Sequence, residues 1–491
     1  MNDQKENPQG LIRSLGLLDA TMLVAGSMIG SGIFIVSTYM ARDLGSSGWL
    51  LVTWIITGLI TVTAALSYGE LAGMMPNAGG QYVYIQRAFN PMISFMYGWT
   101  VFMVIQTGVI AAVAVAFAKY SSVFFPDLNT ILFSSGKFSI TYAQLFAIAC
   151  IVLLTWINSR GIKNGKTIQL IFTSAKLLAL FGLIVLGFYI GLHSGTFADN
   201  FSHPWDATRT FFNEATQTWA TESLTGIVLA GVMGATIINS LFASDAWNNV
   251  TFIAGEIKDP RKNIPRSLLL GTFIVTVIYC LANVAYLMLL PLQGNPSADA
   301  NDYIGRGIQF ATNDRVGTAA ASVIFGNSAV YIMAALIMIS TFGCNNGIIL
   351  MGARLYYAMS KDGLFFRKAG ELNKYHVPGY GLYIQCIWAS LLCLSGTYGD
   401  LLTYSTFASM LFYILTIAGI FILRKKEPDA ERPYKAFGYP FIPALYILVA
   451  TAICIDLLIY DTRNTGFGLL IVLLGIPVYF IVKKNVKADT G

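Results

Sequence analysis

Charged residues are scarce in this sequence. Only 11% of its 491 residues are charged, against about 25% in ordinary soluble domains, while 55% are hydrophobic. Long uncharged runs with this composition predict an all-α polytopic membrane protein, so we expect the lipid bilayer as a partner. The net charge of +6 comes from basic residues scattered through short loops. That scatter excludes the clustered basic surface of a nucleic-acid-binding protein.

Residue types that build metal centres and enzyme active sites are also few. The three histidines lie in separate loops, at His193, His203 and His376, and suggest no metal site. The six cysteines all fall within apolar segments, at Cys150, Cys280, Cys344, Cys386, Cys393 and Cys454. Neither a disulfide framework nor a zinc site is therefore supported, and we expect no cofactor.

Motifs of enzymes and channels are missing as well. The chain has no HExxH, GxSxG or P-loop pattern and no convergent Asp/His cluster, which argues against a membrane-embedded enzyme. It has no charged ring or filter sequence of the kind that channels use. The N-terminal segment MNDQKENPQG lacks the basic start, short apolar core and cleavage site of a signal peptide. We therefore expect the first apolar run to belong to the mature protein.

Apolar stretches of about 20 residues predict twelve membrane-spanning helices. Their bounds are 14–39, 47–72, 91–118, 141–159, 167–191, 223–253, 266–290, 319–357, 380–397, 400–423, 439–459 and 465–482. With the N-terminus inside, 23 of the 31 Lys and Arg residues lie on one side, seven on the other, and Lys176 within a span. By the positive-inside rule, both termini are cytoplasmic and the protein lies in the cell membrane, plasma or inner. The longest outside loops, near 193–222 and 291–318, have room for short surface helices.

The first span contains GSMIGSGIF, Gly26 to Phe34, which is poor helix material because each glycine costs about 1 kcal/mol relative to alanine. Irregular backbone at membrane depth is tolerated only where it is buried in protein or lines a cavity. A break at Gly30-Ser31-Gly32 leaves peptide N–H groups free at the start of a half-helix, where an anion is favoured. Small residues are also common where helices pack closely, so both interpretations stand at this point.

The sixth span has a corresponding interruption. It contains LFASDAWNNV, Leu241 to Val250, with an aspartate and two asparagines inside an apolar run. Polar groups there usually face a cavity or mark function. The two broken spans are five apart in the chain. Because five is odd, the sixth span crosses opposite to the first, as an inverted five-plus-five repeat requires. Two interrupted spans at corresponding positions of two halves indicate the central binding site of a transporter.

Lys176, in LIFTSAKLLALF, is the third unusual feature, about a third of the way into the fifth span. Its long stem could still reach the membrane interface. Otherwise its ammonium needs carbonyl or hydroxyl partners from neighbouring helices. It would then either replace a bound cation or take up and release a proton during transport.

The residues around these features resemble the amino acid–polyamine–organocation superfamily, specifically its L-type amino acid transporter-like branch. The matching segments are GSMIGSGIF, AKLLAL, FASDAWNNVTFIAGEIKDPRKNIPRSL, FGCNNGIILMGARLYYAMSKDG and RKKEPDAERPYKAFGYP. The resemblance covers about residues 14–482. It implies twelve transmembrane helices, arranged as a five-plus-five inverted repeat followed by two C-terminal helices.

The implied organisation divides the chain into six parts. They are a cytoplasmic N-terminus (1–13), a first repeat (14–191), an extracellular loop (192–222), a second repeat (223–423), a cytoplasmic loop with two further helices (424–482) and a cytoplasmic C-terminus (483–491).

The resemblance also implies a site for an amino acid zwitterion. The substrate carboxylate would meet the N–H groups around Gly30, Ser31 and Gly32. Its ammonium would meet backbone carbonyls near Met28, Ile29, Phe242 and Ala243. Phe242 would match the aromatic gate of the family. The further candidates to contact substrate are Ser244, Asp245, Asn248, Cys344 and Asn346, some of which could instead be polar packing contacts.

Two departures from the family pattern affect these expectations. Many relatives have tyrosine and glycine where this chain has Ser244 and Ala246, so the pocket shape of relatives does not transfer. Animal members of the branch carry a loop cysteine that bonds a heavy-chain partner, and the corresponding loop, 121–140, has no cysteine. We therefore expect no disulfide-linked heavy-chain subunit, and a monomer or a weak homo-oligomer.

The functions that remain are amino-acid carriers that differ in coupling and substrate. Sodium-independent exchange follows if Lys176 replaces a bound ion, and proton-coupled symport follows if Lys176 titrates. Asp245 could pair with a cationic side chain, yet the same motif position holds aspartate in neutral-substrate relatives. We favour exchange of neutral L-amino acids, with a proton-coupled symporter and a cationic amino acid carrier as the alternatives.

Overall fold

The computed structural model describes residues 10–135, 138–395, 398–460 and 462–489. The helices are α1 (Leu17–Met28), α2 (Val36–Leu44), α3 (Ser47–Met74), α4 (Gln81–Ala88), α5 (Pro91–Thr100), α6 (Gln106–Ser121), α7 (Tyr142–Ser159), α8 (Ile162–Gly191), α9 (Thr196–Asn200), α10 (Gly226–Ala243), α11 (Pro260–Leu289), α12 (Tyr303–Arg306), α13 (Val316–Phe325), α14 (Ala329–Lys361), α15 (Gly379–Leu394), α16 (Tyr398–Lys426), α17 (Phe441–Tyr460) and α18 (Thr462–Asp489). Short 3₁₀ helices cover Gly32–Phe34, Pro126–Asn129, Trp247–Glu256, Thr312–Asp314, Gly326–Ser328 and Arg367–Gly370. A π-helical turn, Val101–Ile105, joins α5 to α6.

The predicted all-α polytopic fold is confirmed. Among the described residues, ten helical segments are long and apolar enough to cross a membrane, and α1 and α15 are shorter apolar helices. Together they account for the twelve predicted spans. Parts of three predictions lie outside the described residues: residues 1–9 of the N-terminus, residues 396–397 at the end of the ninth span, and residues 490–491 of the C-terminus.

The predicted eighth span, 319–357, is not one helix. Gly326 has a φ of 58°, in the left-handed region that ends a helix, so the segment divides into α13 and α14. Two of the loops that we predict to lie outside contain β-strands, which were not expected. β1 (Ile131–Ser135) pairs with β2 (Phe138–Thr141), and β3 (Thr208–Asn213) pairs with β4 (Thr218–Ser223), each pair antiparallel.

The breaks of the two interrupted helices lie inside the bundle, although the first residues of α10 are exposed. α1 packs against α8, α11 and α14, and α10 packs against α2, α3 and α17. The basic loops lie on the side of the bundle where α1 begins, and we call this side the basic end. The other side is the opposite end. α1 and α10 each stop partway through the bundle and continue after a break, which places both breaks near its centre.

The basic end of the bundle is closed by contacts between the segment before α1 and the 3₁₀ helix after α10. The N–H groups of Ser14 and Leu15 donate to Glu256 O at 2.9 and 3.0 Å, and Lys258 N–H donates to Leu15 O at 2.8 Å. Arg354 of α14 donates to both carboxylate oxygens of Glu256, at 3.0 and 3.2 Å. Both side chains are buried, so this ion pair lies inside the closure.

We expect the Glu256–Arg354 pair to be needed for stability. Arg354→Met leaves a buried carboxylate without its partner, which costs about 3–5 kcal/mol. Arg261→Met removes an ion pair with Glu431 that is exposed, and such pairs contribute at most about 1 kcal/mol. Thermal unfolding of the purified variants should therefore show a much larger fall in midpoint for Arg354→Met. Equal shifts in the two variants would contradict this role.

Candidate functional site

The first break interrupts α1 after Met28. Ile29 is extended, with φ −79° and ψ 93°, and the 3₁₀ helix Gly32–Phe34 follows. Its first hydrogen bond runs from Phe34 N–H to Ser31 O at 3.1 Å. The N–H groups of Ser31, Gly32 and Ile33 precede that bond, as the first N–H groups of any helix do. The break therefore presents backbone donors beside the end of α1.

The second break follows Ala243 at the end of α10. Ser244 N–H still closes the helix onto Ser240 O, and Ala246 then adopts a left-handed conformation with φ 66° and ψ 6°. The 3₁₀ helix Trp247–Glu256 resumes the path. A left-handed residue with a Cβ costs about 1–2 kcal/mol. The methyl group of Ala246 therefore sits at the strained position of this break.

The three glycines of GSMIGSGIF have different surroundings. A Cβ on Gly26 would lie 1.9 Å from Gln169 Nε2, so Gly26 allows α1 to pack against α8. A Cβ on Gly32 would lie 2.7 Å from the Cβ of Ala243, so Gly32 allows the two breaks to touch. A Cβ on Gly30 would meet only Cys344 Sγ, at 3.6 Å, which is an ordinary contact. Helix packing therefore accounts for two of the three glycines but not for Gly30.

Lys176 reaches the first break from α8 and does not extend toward the membrane surface. Its ammonium donates to Gly26 O at 2.5 Å and to Ile29 O at 2.6 Å, and lies 3.4 Å from Ser340 O. The side chain is fully buried. Ser340 Oγ lies 3.0 Å from both Ile29 O and Gly30 O, so α14 supports the same break. These contacts rule out the interfacial alternative for Lys176.

The carbonyl groups at the ends of α1 and α10 share one donor. Tyr279 OH of α11 lies 3.2 Å from Met28 O and 3.1 Å from Ala243 O. A tyrosine hydroxyl has a single proton, so it serves one of these oxygens at a time. The other oxygen retains capacity for a donor from a bound ligand. Cys344 Sγ donates to Ser27 O at 3.0 Å in the same region.

Two cavities meet at the breaks. The vestibule is a space of about 790 Å³ whose lining includes Ser31, Gly32 and Phe242 at the two breaks and the basic side chains of Arg42, Lys119 and Arg315. Because Lys119 is exposed, the vestibule reaches the surface at the opposite end of the bundle. The central cavity lies beneath it and has about 40 Å³ of free space, room for about three water molecules. An amino acid would fit there only if the lining moved.

Phe242 is the one large side chain that lines both cavities; the other residues common to them are Ser31 and Gly32. Eight predicted contact residues line the central cavity, namely Met28, Gly30, Ser31, Gly32, Phe242, Ala243, Asp245 and Cys344. The structure thus brings together most of the residues that the resemblance indicated, with Phe242 between the vestibule and the space below.

Four predicted contact residues do not line the central cavity, namely Ile29, Ser244, Asn248 and Asn346. Ile29 O is directed at Lys176, and Ser244 lines a separate small space against α3, α16 and α17. Asn248 lies in another space on the basic side, where Asn248 Nδ2 donates to Gln81 Oε1 at 2.8 Å. The Phe242 side chain does line the cavity, but its carbonyl, the predicted ammonium ligand, accepts from Asp245 N–H at 3.2 Å within the turn of the break.

Asn346 is the clearest departure from the expectation. Its amide nitrogen donates to Gly165 O at 2.9 Å and to Gln169 Oε1 at 3.1 Å, and its oxygen accepts from Asn158 Nδ2 at 3.0 Å. These partners belong to α7 and α8. Residues two apart in a helix point about 200° apart, so Cys344 and Asn346 cannot both face the cavity. Asn346 is a packing contact.

Asp245 lies at the second break and contacts a tyrosine of α16. Tyr413 OH donates to Asp245 Oδ1 at 2.5 Å and lies 3.1 Å from Asn248 Oδ1. No Lys, Arg or His among the described residues forms an ion pair with this carboxylate. The contact with Tyr413 gives Asp245 a structural role at the break, whatever it contributes to ligand binding.

Sequence reasoning missed several residues of the site. Val109, Ala112 and Val113 of α6 form the apolar wall of the central cavity. Tyr279 and Ser340 complete the hydrogen bonds at the breaks. Small residues in the third span and hydroxyl groups in the seventh and eighth were the available signals, but neither says which helix faces the breaks.

We expect Phe242→Ala to separate transport from binding. If the ring closes over bound substrate, its loss should slow exchange about tenfold or more while equilibrium affinity falls only a few-fold. Exchange in proteoliposomes and ligand-dependent thermal stabilisation in detergent measure the two quantities. Ile238→Ala, in the vestibule wall on the same helix, serves as the control. Equal losses of rate and affinity would make Phe242 a simple pocket contact.

The chain is similar along nearly its whole length to known amino acid transporters. A profile described as amino acid permease matches residues 15–482. The large neutral amino acids transporter small subunit 2 of Homo sapiens is 30% identical over 486 residues, which cover 96% of this chain and 80% of that protein. The serine/threonine exchanger SteT of Bacillus subtilis is 29% identical and covers 97% and 98%. The Asc-type amino acid transporter 1 of Mus musculus is 28% identical and covers 96% and 81%.

Proposed function

The chain belongs to the amino acid permease family and is a transporter rather than an enzyme, and we propose that it exchanges neutral L-amino acids without sodium. The observation that carries this proposal is the pairing of two broken helices on one cavity. Backbone donors follow Gly30, and the carbonyl oxygens of Met28 and Ala243 share the Tyr279 hydroxyl, while Met28 O also accepts from Gly30 N–H at 3.0 Å. The backbone donors suit a carboxylate, and the carbonyl oxygens suit an ammonium. An amino acid zwitterion carries both groups on one carbon atom.

Sodium independence is supported by the contacts of Lys176. An ammonium has three N–H donors, and Lys176 Nζ lies near three carbonyl oxygens, those of Gly26, Ile29 and Ser340. A neutral amine would turn a lone pair toward one of them. The arrangement therefore favours a charged lysine that fills the place of a bound cation throughout the cycle. This supports exchange over proton-coupled symport, which requires Lys176 to lose its proton in one conformation.

A neutral substrate is favoured over a cationic one by the surroundings of Asp245. Its Oδ1 atom already accepts from Tyr413 at 2.5 Å, and much of the central cavity wall is apolar, with Val109, Ala112 and Val113 on α6. The names of the relatives point the same way, because they include a transporter of large neutral amino acids and a serine/threonine exchanger. A cationic amino acid carrier that uses Asp245 is the second candidate.

Orientation and partners complete the proposal. The positive-inside rule places the basic end in the cytoplasm, so both termini are cytoplasmic and the vestibule opens outside the cell membrane. One relative is named a small subunit. The segment between α6 and α7 has no cysteine, which supports transport by the chain alone or by a weak homo-oligomer, without a disulfide-linked subunit. The two interrupted helices at corresponding positions support the division into two inverted repeats, residues 14–191 and 223–423.

Uptake into proteoliposomes tests this function. Purified protein is reconstituted with or without internal L-serine, and uptake of labelled L-leucine, L-serine, L-arginine and L-glutamate is measured in sodium-free buffer. We expect neutral amino acids to accumulate only in loaded vesicles. Uptake of L-arginine alone would favour the cationic carrier, and a requirement for sodium would overturn the proposal.

A further inference from the structure

Two cations that line the vestibule, Lys119 and Arg315, take no part in the ion pairs formed among the described residues. Lys119 lies near the C-terminal end of α6 and is exposed, while Arg315 immediately precedes α13. Across the described ranges of the chain, neither forms an ion pair with a carboxylate. Unpaired Lys and Arg side chains on the wall of one cavity create a positive potential there.

The other charged groups of the vestibule are already engaged. Arg42 of α2 pairs with Asp314 at 2.8 Å, and Tyr39 OH donates to the same carboxylate at 3.1 Å. Asp43 accepts from Thr236 Oγ1 at 2.7 Å. Three basic and two acidic side chains line the vestibule, so its net charge is +1. The excess positive charge is located at Lys119 and Arg315.

Arg315 is held in place while part of its hydrogen-bonding capacity remains unused. Its guanidinium lies 4.7 Å from the centre of the Tyr120 ring, next to Lys119 in the chain. Its Nε atom is buried and donates to no acceptor in the part of the chain that the structure describes. A guanidinium has five N–H donors in a planar fork that matches a carboxylate. The pair of side chains therefore offers a charge and a geometry suited to one carboxylate group.

We propose that Lys119 and Arg315 form an outer site that binds the α-carboxylate of an incoming amino acid before it passes Phe242. The site recruits amino acids of zero or negative net charge and disfavours those with a cationic side chain. Cations in a cleft raise the local concentration of anionic groups, and the effect weakens as salt screens it. This inference rests on the proposed function, because it supplies substrate to the exchange site below.

The test uses the double variant Lys119→Gln/Arg315→Gln in proteoliposomes loaded with L-serine. L-Serine is the probe because its short side chain leaves carboxylate recognition dominant. We expect the KM for external L-serine to rise about fivefold with kcat unchanged, a change of about 1 kcal/mol. The KM for internal L-serine should stay constant, since the site lies on one side of Phe242. In the unaltered protein the external KM should rise when choline chloride is added, and the double variant should lose that response.

Two controls make the result decisive. Arg463→Gln removes an exposed cation near the start of α18, outside the vestibule lining, and should leave external KM unchanged. Lys119→Gln alone changes an exposed side chain and should give a smaller shift in the same direction, even if the double variant folds poorly. The ratio of L-arginine to L-serine uptake should also rise in the double variant.

Other outcomes would overturn the inference. An unchanged external KM in a well-folded double variant would show that the two cations do not recruit substrate. Equal rises in external and internal KM would show a general defect and not an outer site. If the unaltered protein exchanges no neutral amino acid, the proposed function itself fails, and that result is visible before any variant is made.

Discussion

Replacing Lys176 with methionine should reduce exchange by about 100-fold or more. Methionine keeps most of the apolar stem but removes the ammonium, so Gly26 O loses its Lys176 donor and Ile29 O keeps only the Ser340 hydroxyl. Hydrogen bonds from a charged group contribute about 1.5–3 kcal/mol each, and the loss of the two short ones accounts for the expected factor. The break in α1 would also lose the positive charge that fixes its carbonyl groups.

Lys163→Met on the same helix is the matched control, because Lys163 is exposed near the start of α8. It should exchange at the normal rate. Thermal unfolding of both variants separates lost function from lost fold, and Lys176→Arg adds a variant that keeps the charge. Exchange by Lys176→Met above about a tenth of the normal rate would contradict a required ammonium at the first break.

Substitution of Gly30 should remove substrate binding without disturbing the fold. The Cβ of Gly30→Val would meet only Cys344 Sγ, and we expect the two methyl groups to block the approach of the carboxylate to the adjacent backbone donors. Hydrogen bonds to a charged group contribute about 1.5–3 kcal/mol each, so blocking two should weaken binding at least about 100-fold. Substrate-dependent thermal stabilisation measures this loss directly.

Gly182→Val is the control for Gly30→Val. Gly182 lies in α8, and a Cβ there has no atom within 4 Å, so the substitution adds the same bulk without a contact. Gly32→Val is unsuitable for this purpose, because its Cβ would collide with Ala243 and separate the two breaks. Normal binding by Gly30→Val would show that the carboxylate does not approach the backbone at this point.

The positions of both breaks followed from local composition. Glycine and serine in GSMIGSGIF, and aspartate and asparagine in LFASDAWNNV, are unfavourable in an apolar helix wherever it packs. The burial of Lys176 had a similar basis, since an ammonium deep in a span needs oxygen partners. Which oxygens it would reach was not readable, because Gly26, Ile29 and Ser340 lie about 150 or more residues away in the chain.

Contacts between distant helices account for the other differences. Asn346 and Cys344 were equally plausible from their chemistry, and only the packing of α14 against α7 and α8 decides between them. Tyr279 gave no local signal that its hydroxyl would join the two breaks. The glycines of GSMIGSGIF differ for the same reason. Gly26 and Gly32 contact residues of neighbouring helices, whereas the space beside Gly30 is open.

The driving force for uptake tests the central claim most directly, namely that a fixed charge at Lys176 makes this protein an obligatory exchanger. Labelled L-serine uptake is measured in sodium-free proteoliposomes that are loaded or empty, with and without an imposed inward proton gradient. The account predicts uptake only into loaded vesicles, at a rate nearly constant between about pH 6 and pH 8 and unaffected by the gradient. Concentrative uptake into empty vesicles driven by the pH gradient alone, and abolished by Lys176→Met, would contradict it.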